Sequence, residues 1–340
     1  MSNYVCRILD ISEYDHWDEF VDLSPQGMIF HKSYWLGVSE IDFRIYGCFN
    51  GGELIAGLPL GYRRYRITQA THPSITPYLG MLFGDSAAKY VGRISDEKRI
   101  ARLIAERIKG DFNVIDLRFA PSVIDLQPFI WEGFSSSIGY TYLLKLNDLE
   151  NVWKEMDAKR RNDITRAEKD GIYVESGNDF EQTYILVEKT FERQEKEAKF
   201  RSTAFKYNEL LSQRDQCNSF LARDKEGEAI AAVYIVWDNK RSYYLLGGYD
   251  SEKSHHGASA MALWEAIKFT KQQLGLDEFD FEGSMIPLVE QFFRKFGGKL
   301  TPCYSIHYQD APGKLVLSAW RLIRHGLSVF SPKRNQQRRA

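Results

Sequence analysis

A chain of 340 residues with 44% hydrophobic and 27% charged side chains has the make-up of a globular protein, long enough for two domains. Its net charge of −1 excludes a general attraction of the whole chain to nucleic acid, and no nucleic-acid motif argues for a specific DNA partner. Cys6, Cys48, Cys217 and Cys303 form neither a metal-ligand spacing nor a disulfide framework, which points to a reducing compartment. The mixed N-terminus and the lack of a long apolar run predict a soluble, cytoplasmic protein.

From the N-terminus, Tyr46-Gly47-Cys48-Phe49 leads through Asn50-Gly51 into Gly52-Glu53-Leu54-Ile55-Ala56-Gly57-Leu58. Glycine accepts positive φ at such a turn, so this is a hairpin whose nearly all-apolar second strand is buried on both faces. Arg63-Arg64-Tyr65-Arg66 follows, and then a stiff loop with two prolines, from His72 to Gly80. Tyr78 and Gly80 either line a cleft for an anionic group or belong to an edge hairpin kept soluble by charge. Residues 96–109 carry Ile100, Leu103, Ile104 and Ile108 on one stripe and stop at Gly110, which predicts a helix. Residues 114–119 predict a strand, 140–146 another, and 152–169 a strongly charged helix.

The same order then returns. Residues 220–223 lead through a Glu-Gly turn into Gly227-Glu228-Ala229-Ile230-Ala231-Ala232-Val233, a match to the first heptamer. Residues 258–274 predict a helix with Leu263, Ile267 and Leu274 on one face. Residues 278–282 predict the strand after it. Hairpin, helix and strand thus occur twice, which marks a duplication. The fold class is α/β (α+β): tandem halves, each a mixed, largely antiparallel sheet flanked by helices. The join near 147–152 gives a first half at 1–148, a second at 149–312 and a C-terminal amphipathic helix with basic tail at 313–340. That helix, with Leu315, Trp320, Arg321 and Arg324, either packs on the protein or touches a membrane surface.

Four groups of residues are candidates for chemistry. Asp280 and Glu282, two apart in a strand, share a face opposite Phe279 and Phe281. They either orient a nucleophile and accept its proton or form a structural pair. Gly247-Gly248-Tyr249-Asp250 and His255-His256-Gly257 surround a helix start, where free amides attract anions. The two histidines lack a third ligand nearby, so no metal is expected. Lys159-Arg160-Arg161 and Arg166 either fork onto an anion or form a solvated helix face. The Tyr78–Gly80 loop is the fourth group.

These segments together resemble the FemAB-type transferases, which carry two GNAT-like halves. The resemblance rests on Met28-Ile29-Phe30-His31 with Trp35, and on Lys159-Arg160-Arg161-Asn162-Asp163-Ile164 with Arg166-Ala167-Glu168-Lys169 and Gly171. It continues through Tyr243-Tyr244-Leu245-Leu246-Gly247-Gly248, Gly257 with Trp264, Phe279-Asp280-Phe281-Glu282-Gly283, and Pro287, Phe292, Phe296 and Gly297. It implies an acyltransferase that moves an activated acyl or aminoacyl group onto an amine of a cell-envelope or polysaccharide precursor such as peptidoglycan. The implied donor is aminoacyl-tRNA or acyl-CoA, with no tightly bound cofactor. The expected place of action is cytoplasmic, with residues 314–340 either packed on the protein or in peripheral contact with the inner face of the membrane.

The resemblance also implies roles. Asp280, Glu282, His256 and Tyr249 would be catalytic. Lys159, Arg160, Arg161, Arg166, Tyr78 and Gly80 would hold substrate. Gly248, His255, Gly257 and Ser284 would hold the donor. Two departures keep the donor open. Residues 190–202 are too short for the helical arm of tRNA-using members, and Ser254 and Ser259 replace the outer residues of a GNAT pyrophosphate loop. Two alternatives therefore stand beside this reading: a non-catalytic binder of an envelope precursor, and an acyl-CoA N-acyltransferase acting on a small amine. No serine or cysteine is placed by the sequence as a nucleophile, so direct attack by the amine is expected.

Overall fold

The computed structural model describes residues 4–253 and 255–329, with side chains up to 320. Its strands are β1 (Tyr4–Ile8), β2 (Asp42–Asn50), β3 (Glu53–Arg64), β4 (Thr68–Thr71), β5 (Leu82–Phe83), β6 (Val114–Arg118), β7 (Ser135–Lys145), β8 (Tyr173–Gly177), β9 (Cys217–Arg223), β10 (Ala229–Trp237), β11 (Ser242–Tyr249), β12 (Glu278–Asp280) and β13 (Lys299–Gln309). The helices are α1 (Tyr14–Leu23), α2 (Ser33–Val38), α3 (Tyr90–Asp111), α4 (Gln127–Trp131), α5 (Leu149–Glu155), α6 (Ala158–Lys169), α7 (Phe180–Arg193), α8 (Arg201–Ser212), α9 (Ala258–Gln272), α10 (Pro287–Arg294) and α11 (Ala311–Val329).

Among the described residues all strands belong to one sheet, in the order β1-β2-β3-β4-β6-β13-β7-β12-β11-β10-β9-β8, with β5 beside β3. The order is a palindrome of two repeats. β4 and β6 pair in parallel, as do β11 and β12, while the hairpins β2–β3 and β9–β10 are antiparallel. α3 precedes β6 as α9 precedes β12. The duplicated halves expected from the heptamers are therefore present.

The centre of the sheet has a feature that the sequence did not suggest. The last strand of each repeat is exchanged. β7 pairs with β12 of the second repeat, and β13 pairs with β6 of the first. β7 and β13 then pair with each other over nine residue pairs, from Lys299↔Leu143 to His307↔Ser135.

The core follows from burial of the strands on both faces. β10 is buried from Ile230 to Val236, and α9 buries Ala258, Ala260, Met261, Leu263, Trp264 and Ile267 beneath it. A second link between the repeats is polar. The turn after β10 enters the first repeat, where Lys240 Nζ donates to the carbonyls of Val21, Ser24 and Gly27 at 3.1, 2.6 and 3.2 Å. Buried Asp238 accepts from Ile29 N–H at 3.0 Å and from the Tyr243 hydroxyl at 2.6 Å.

Four expectations need correction. The charged helix at 152–169 is two helices, because Asp157 caps α6 by accepting from Arg160 N–H at 3.2 Å. Arg161 closes the end of α5 by donating to the Trp153, Lys154 and Met156 carbonyls. The strand expected over 278–282 stops at Asp280. Cys6 and Cys48, opposite each other in the β1–β2 register, form a disulfide with a Cα–Cα separation of 4.1 Å. Sequence spacing cannot show such a cross-strand pair, and the argument for a reducing compartment goes with it. Among the described residues no helix is long and apolar enough to cross a membrane. The basic tail beyond residue 329 lies outside the described residues.

Candidate active site

Directly opposed residues on paired strands share a face. The register therefore puts Arg118, Ser305 and Ser137 on one face, followed by Cys303 with Gly139, and then Thr141, Leu143 and Asp280. This face is polar at the centre of a large sheet. The opposite face carries Leu117, Ile306, Tyr142, Leu144 and Phe279.

Asp280 is fully buried. Its Oδ1 accepts from Thr141 Oγ1 at 2.6 Å and from the Glu282 backbone N–H at 2.8 Å, with the Tyr78 hydroxyl at 3.5 Å. Its Oδ2 is buried without a partner. Burial raises its pKa to about 6, against the pull of Thr141 and of the Arg241 charge.

Glu282 does not share Asp280's face through strand alternation. It stands at φ +54, and Gly283 follows at φ +65. The left-handed turn bends Glu282 back beside Asp280. Gly283 must be glycine, because a Cβ there would lie 2.0 Å from the Tyr140 carbonyl oxygen. The residue is partly exposed as a whole, but its Oε1 is buried and unpartnered. Burial, reinforced by the neighbouring Asp280 charge, pushes its pKa well above the ordinary carboxylate range, and Arg118 opposes this.

Arg118 supplies the nearby positive charge. Its backbone is fixed on both sides: its N–H donates to His72 Nε2 at 2.7 Å, and its carbonyl accepts from Leu79 N–H at 2.9 Å. His72 Nδ1 meets the Thr76 carbonyl at 3.0 Å, so the ring is neutral with its proton on Nδ1. Burial lowers its pKa to about 4. The Arg118 guanidinium lies 5.3 Å from the Tyr78 ring centroid, its Nε has no partner, and its Nη2 reaches the Tyr140 carbonyl only at 3.4 Å. Among the described residues no carboxylate lies within ion-pair distance of it.

A cavity of about 240 Å³ opens between the repeats, lined by Pro73, Ile75, Thr76, Pro77, Leu245 and Glu282. It exists because β11 and β12 pair only at Ser242↔Phe279 and Tyr243↔Asp280 and then separate. Ile75, β-branched, holds φ +51 in its wall, a strained conformation of the kind found at ligand sites.

The structure thus brings Asp280, Glu282 and Tyr78 together. Gly80, at φ +122, packs under the Phe119 ring beside them. The remaining candidates lie elsewhere. Tyr249 is six residues along β11 from Tyr243, about 20 Å at ~3.3 Å per residue, and sits under Arg193 at 4.0 Å. His255 Nε2 bonds Asp170 at 3.1 Å, and His256 lies 3.8 Å from Asp163. Ser284 Oγ accepts from Ile286 N–H at 3.1 Å, next to the cluster in the chain.

The glycines assigned to the donor have their open sides filled by protein. A Cβ on Gly248 would lie 2.2 Å from the Leu186 carbonyl oxygen of α7, and one on Gly257 2.1 Å from the Asp163 carbonyl oxygen of α6. Gly248 lets α7 approach the sheet, and Gly257 lets α6 approach the start of α9. Gly248→Ala should therefore destabilise the fold by roughly 1–3 kcal/mol through overpacking. Denaturant unfolding measures this, and an unchanged midpoint would refute it.

The basic helix divides in the same way. Arg160 is buried, 4.5 Å from the Phe292 centroid, with Asp163 at 3.5 Å, and burial lowers its pKa. Arg161 caps α5. Lys159 and Arg166 are exposed, and Arg166 lies 3.5 Å from Asp170. Sequence reading ranked none of Thr141, Cys303 or Arg241 for the site. Arg118 had one signal, as the first-repeat counterpart of Glu282.

Residues 158–287 match the family described as "Acetyltransferase (GNAT) domain". The stretch holds α6 to β12, including the diverging strands and both acids. The structure of FemX is similar, with a TM-score of 0.64 and 16% identity over 88% of this chain and 96% of that one. The fold is GNAT-like and similar to that of FemX.

The C-terminal domain of a proposed lysylphosphatidylglycerol synthetase from Agrobacterium fabrum has a TM-score of 0.52 and 15% identity, over 77% of this chain and 84% of that one. A tandem GNAT protein from the clavulanic acid biosynthesis pathway has a TM-score of 0.50 and 11% identity, over 90% and 98%. This last likeness extends the GNAT-like fold across both repeats. No curated protein sequence matches the chain.

Proposed function

We propose that the chain transfers an activated acyl or aminoacyl group onto an amine, with Asp280 and Glu282 as the acid–base pair. The observation that carries this reading is the pair of buried, unpartnered oxygens, Asp280 Oδ2 and Glu282 Oε1, beside a cavity between the repeats. Buried carboxylates without partners are costly, and an incoming ammonium supplies what they lack. Thr141 and Tyr78 fix Asp280 by its other oxygen, so Oδ2 keeps its direction. The amine gives up a proton to the pair as its nitrogen bonds the acyl carbon directly; the bond from that carbon to the donor's thiolate or alkoxide breaks, and the leaving group takes the proton from the pair. Proximity and exclusion of water do the work.

The acceptor is a cell-envelope or polysaccharide precursor in this reading, and the donor acyl-CoA or aminoacyl-tRNA. The likeness to FemX and to the lysylphosphatidylglycerol synthetase domain supports the envelope acceptor. Exposed Leu315 and Trp320 on α11 support contact with a membrane surface. In this reading exposed Lys159 and Arg166 contact an anionic substrate, and the 255–257 region contacts the donor. Asp170, just after α6, and Asp163 on it lie beside His255 and His256 and weigh against a phosphate there.

The test is an acyl-donor screen against a precursor pool with mass detection. Glu282→Gln should lower turnover about 100-fold or more, as for loss of one member of an acid–base pair. Activity of the unchanged protein should fall as pH drops below about 6, where the pair takes up its second proton. A Glu282→Gln protein as active as the parent, or activity that rises below pH 6, would sink the assignment.

A further inference from the structure

The polar face of the central strands continues away from the acid pair and carries a second group. Asp116 on β6, His307 on β13 and Ser137 on β7 lie on it, brought together by the pairs His307↔Asp116 and Ser305↔Ser137. Ser137 Oγ lies 2.7 Å from His307 Nε2. His307 Nδ1 lies 3.2 Å from Asp116 Oδ1. The carboxylate can only accept, so it holds the imidazole proton on Nδ1. That leaves Nε2 as the acceptor of the Ser137 hydroxyl proton. The order hydroxyl, imidazole, carboxylate is the arrangement that activates a serine.

Two further observations make this more than a surface hydrogen-bond chain. β7 and β13 are central strands of the sheet, yet residues 135–138 are exposed, so this strip is left uncovered by the helices. A reagent can reach Ser137 in the middle of the protein, between the repeats. The Arg118 guanidinium lies over Gly139, the next residue of β7 on the same face, 3.5 Å from where a Cβ would be. Its Nε has no partner. A cation with spare donors stands beside the position where negative charge would develop on an attacked carbonyl oxygen.

We propose that Ser137, His307 and Asp116 form a nucleophilic site that accepts an acyl group from an activated ester or thioester, with Arg118 steadying the oxyanion. The Ser137 Oγ–H proton passes to His307 Nε2 as Oγ bonds the acyl carbon. The bond from that carbon to the leaving alkoxide or thiolate breaks, and the leaving group takes the proton from His307. Water or an amine then attacks the acyl-serine ester. The attacker's proton passes to His307 and on to Ser137 Oγ as the ester bond breaks, and the site is restored. This function is separate from amine acylation at Asp280 and Glu282, and its test needs no knowledge of the acceptor.

The full chain is treated with p-nitrophenyl acetate and, separately, with an alkyl fluorophosphonate. Adducts are read by intact mass and located by peptide mapping. Fluorophosphonate should give one adduct on the peptide containing Ser137, with loss of fluoride. Its rate should fall about 100-fold or more in His307→Ala, as for loss of a general base. In Asp116→Asn the loss should be on the order of 10-fold, because Asp116 is 60% exposed and screened by water and salt. Ser136→Ala, whose side chain leaves from the other face, should label like the parent. With p-nitrophenyl acetate, Ser137→Ala should abolish the early acetyl adduct. Absence of any adduct on the parent, an adduct elsewhere, or equal labelling rates in His307→Ala and the parent would overturn the proposal.

Discussion

Asp280→Asn should abolish acyl transfer while leaving the protein folded and less sensitive to pH. The amide keeps an oxygen that can accept from Thr141 and from the Glu282 N–H, so the local hydrogen bonds survive. What disappears is the charge and the free acceptor at Oδ2. A loss of 10²- to 10⁴-fold in turnover is expected, the ordinary range for removal of an acid–base group. Stability should change in a defined direction. The folded pKa of Asp280 is raised from 3.8 to about 6. The fold therefore holds the proton more tightly than the unfolded chain does. Its stabilising effect is complete below pH 3.8 and is lost as pH rises through about 6. The raised pKa is equivalent to about 3 kcal/mol at ~1.4 kcal/mol per unit, an order-of-magnitude figure. Melting curves from pH 4 to 8 should slope downward in the parent and flatten in Asp280→Asn, with Glu282 accounting for the remainder. Full activity in the variant would remove Asp280 from the chemistry, and loss of the fold would make it structural.

Asp238→Ala should cost at least about 3 kcal/mol, the scale of breaking a buried charged network. Asp238 is a buried acceptor for four donors: Ile29 N–H, the Tyr243 hydroxyl, Lys240 N–H at 2.8 Å and Arg241 N–H at 3.1 Å. Alanine leaves all four without it. Tyr243 and Ile29 are fully buried, so water cannot replace the carboxylate at them without opening the seam between the repeats. Tyr243 is also the register partner of Asp280, so a shift at the seam reaches the acid pair. Denaturant unfolding gives the number, and Asp238→Asn should fall between parent and Ala. A loss in Asp238→Ala below about 1 kcal/mol would show that the seam does not depend on this carboxylate.

The repeated heptamers were legible because each encodes a whole local unit, a turn and a strand buried on both faces. The exchange of β7 and β13 was not, because strand partners are chosen by tertiary register, and local residue patterns are silent on that. The same reason hid Thr141 and Cys303, which reach the site only on the exchanged strands. The Asp280–Glu282 pair was found for a reason that is partly wrong. Alternation along a strand suggested proximity, and a left-handed turn at Glu282 and Gly283 supplies it. Gly248 and Gly257 looked like ligand-approach glycines, but a helix backbone approaching a strand, or the start of another helix, makes the same demand. Arg160 and Arg161 illustrate how a basic run on a helix divides once packing is known: one stacks on Phe292, the other closes the end of α5.

The exchanged strands also bear on how the molecule is made. β6 ends at Arg118, but its partner β13 begins only at Lys299. On a ribosome moving at about 5–20 residues per second, that edge waits roughly 10–40 s for its partner. An open strand edge over that interval is a template for pairing with other chains. The nascent first repeat should therefore bind holding chaperones until the last strand arrives. Release of the full chain, and not completion of the first repeat, should be the step at which it becomes protease-resistant.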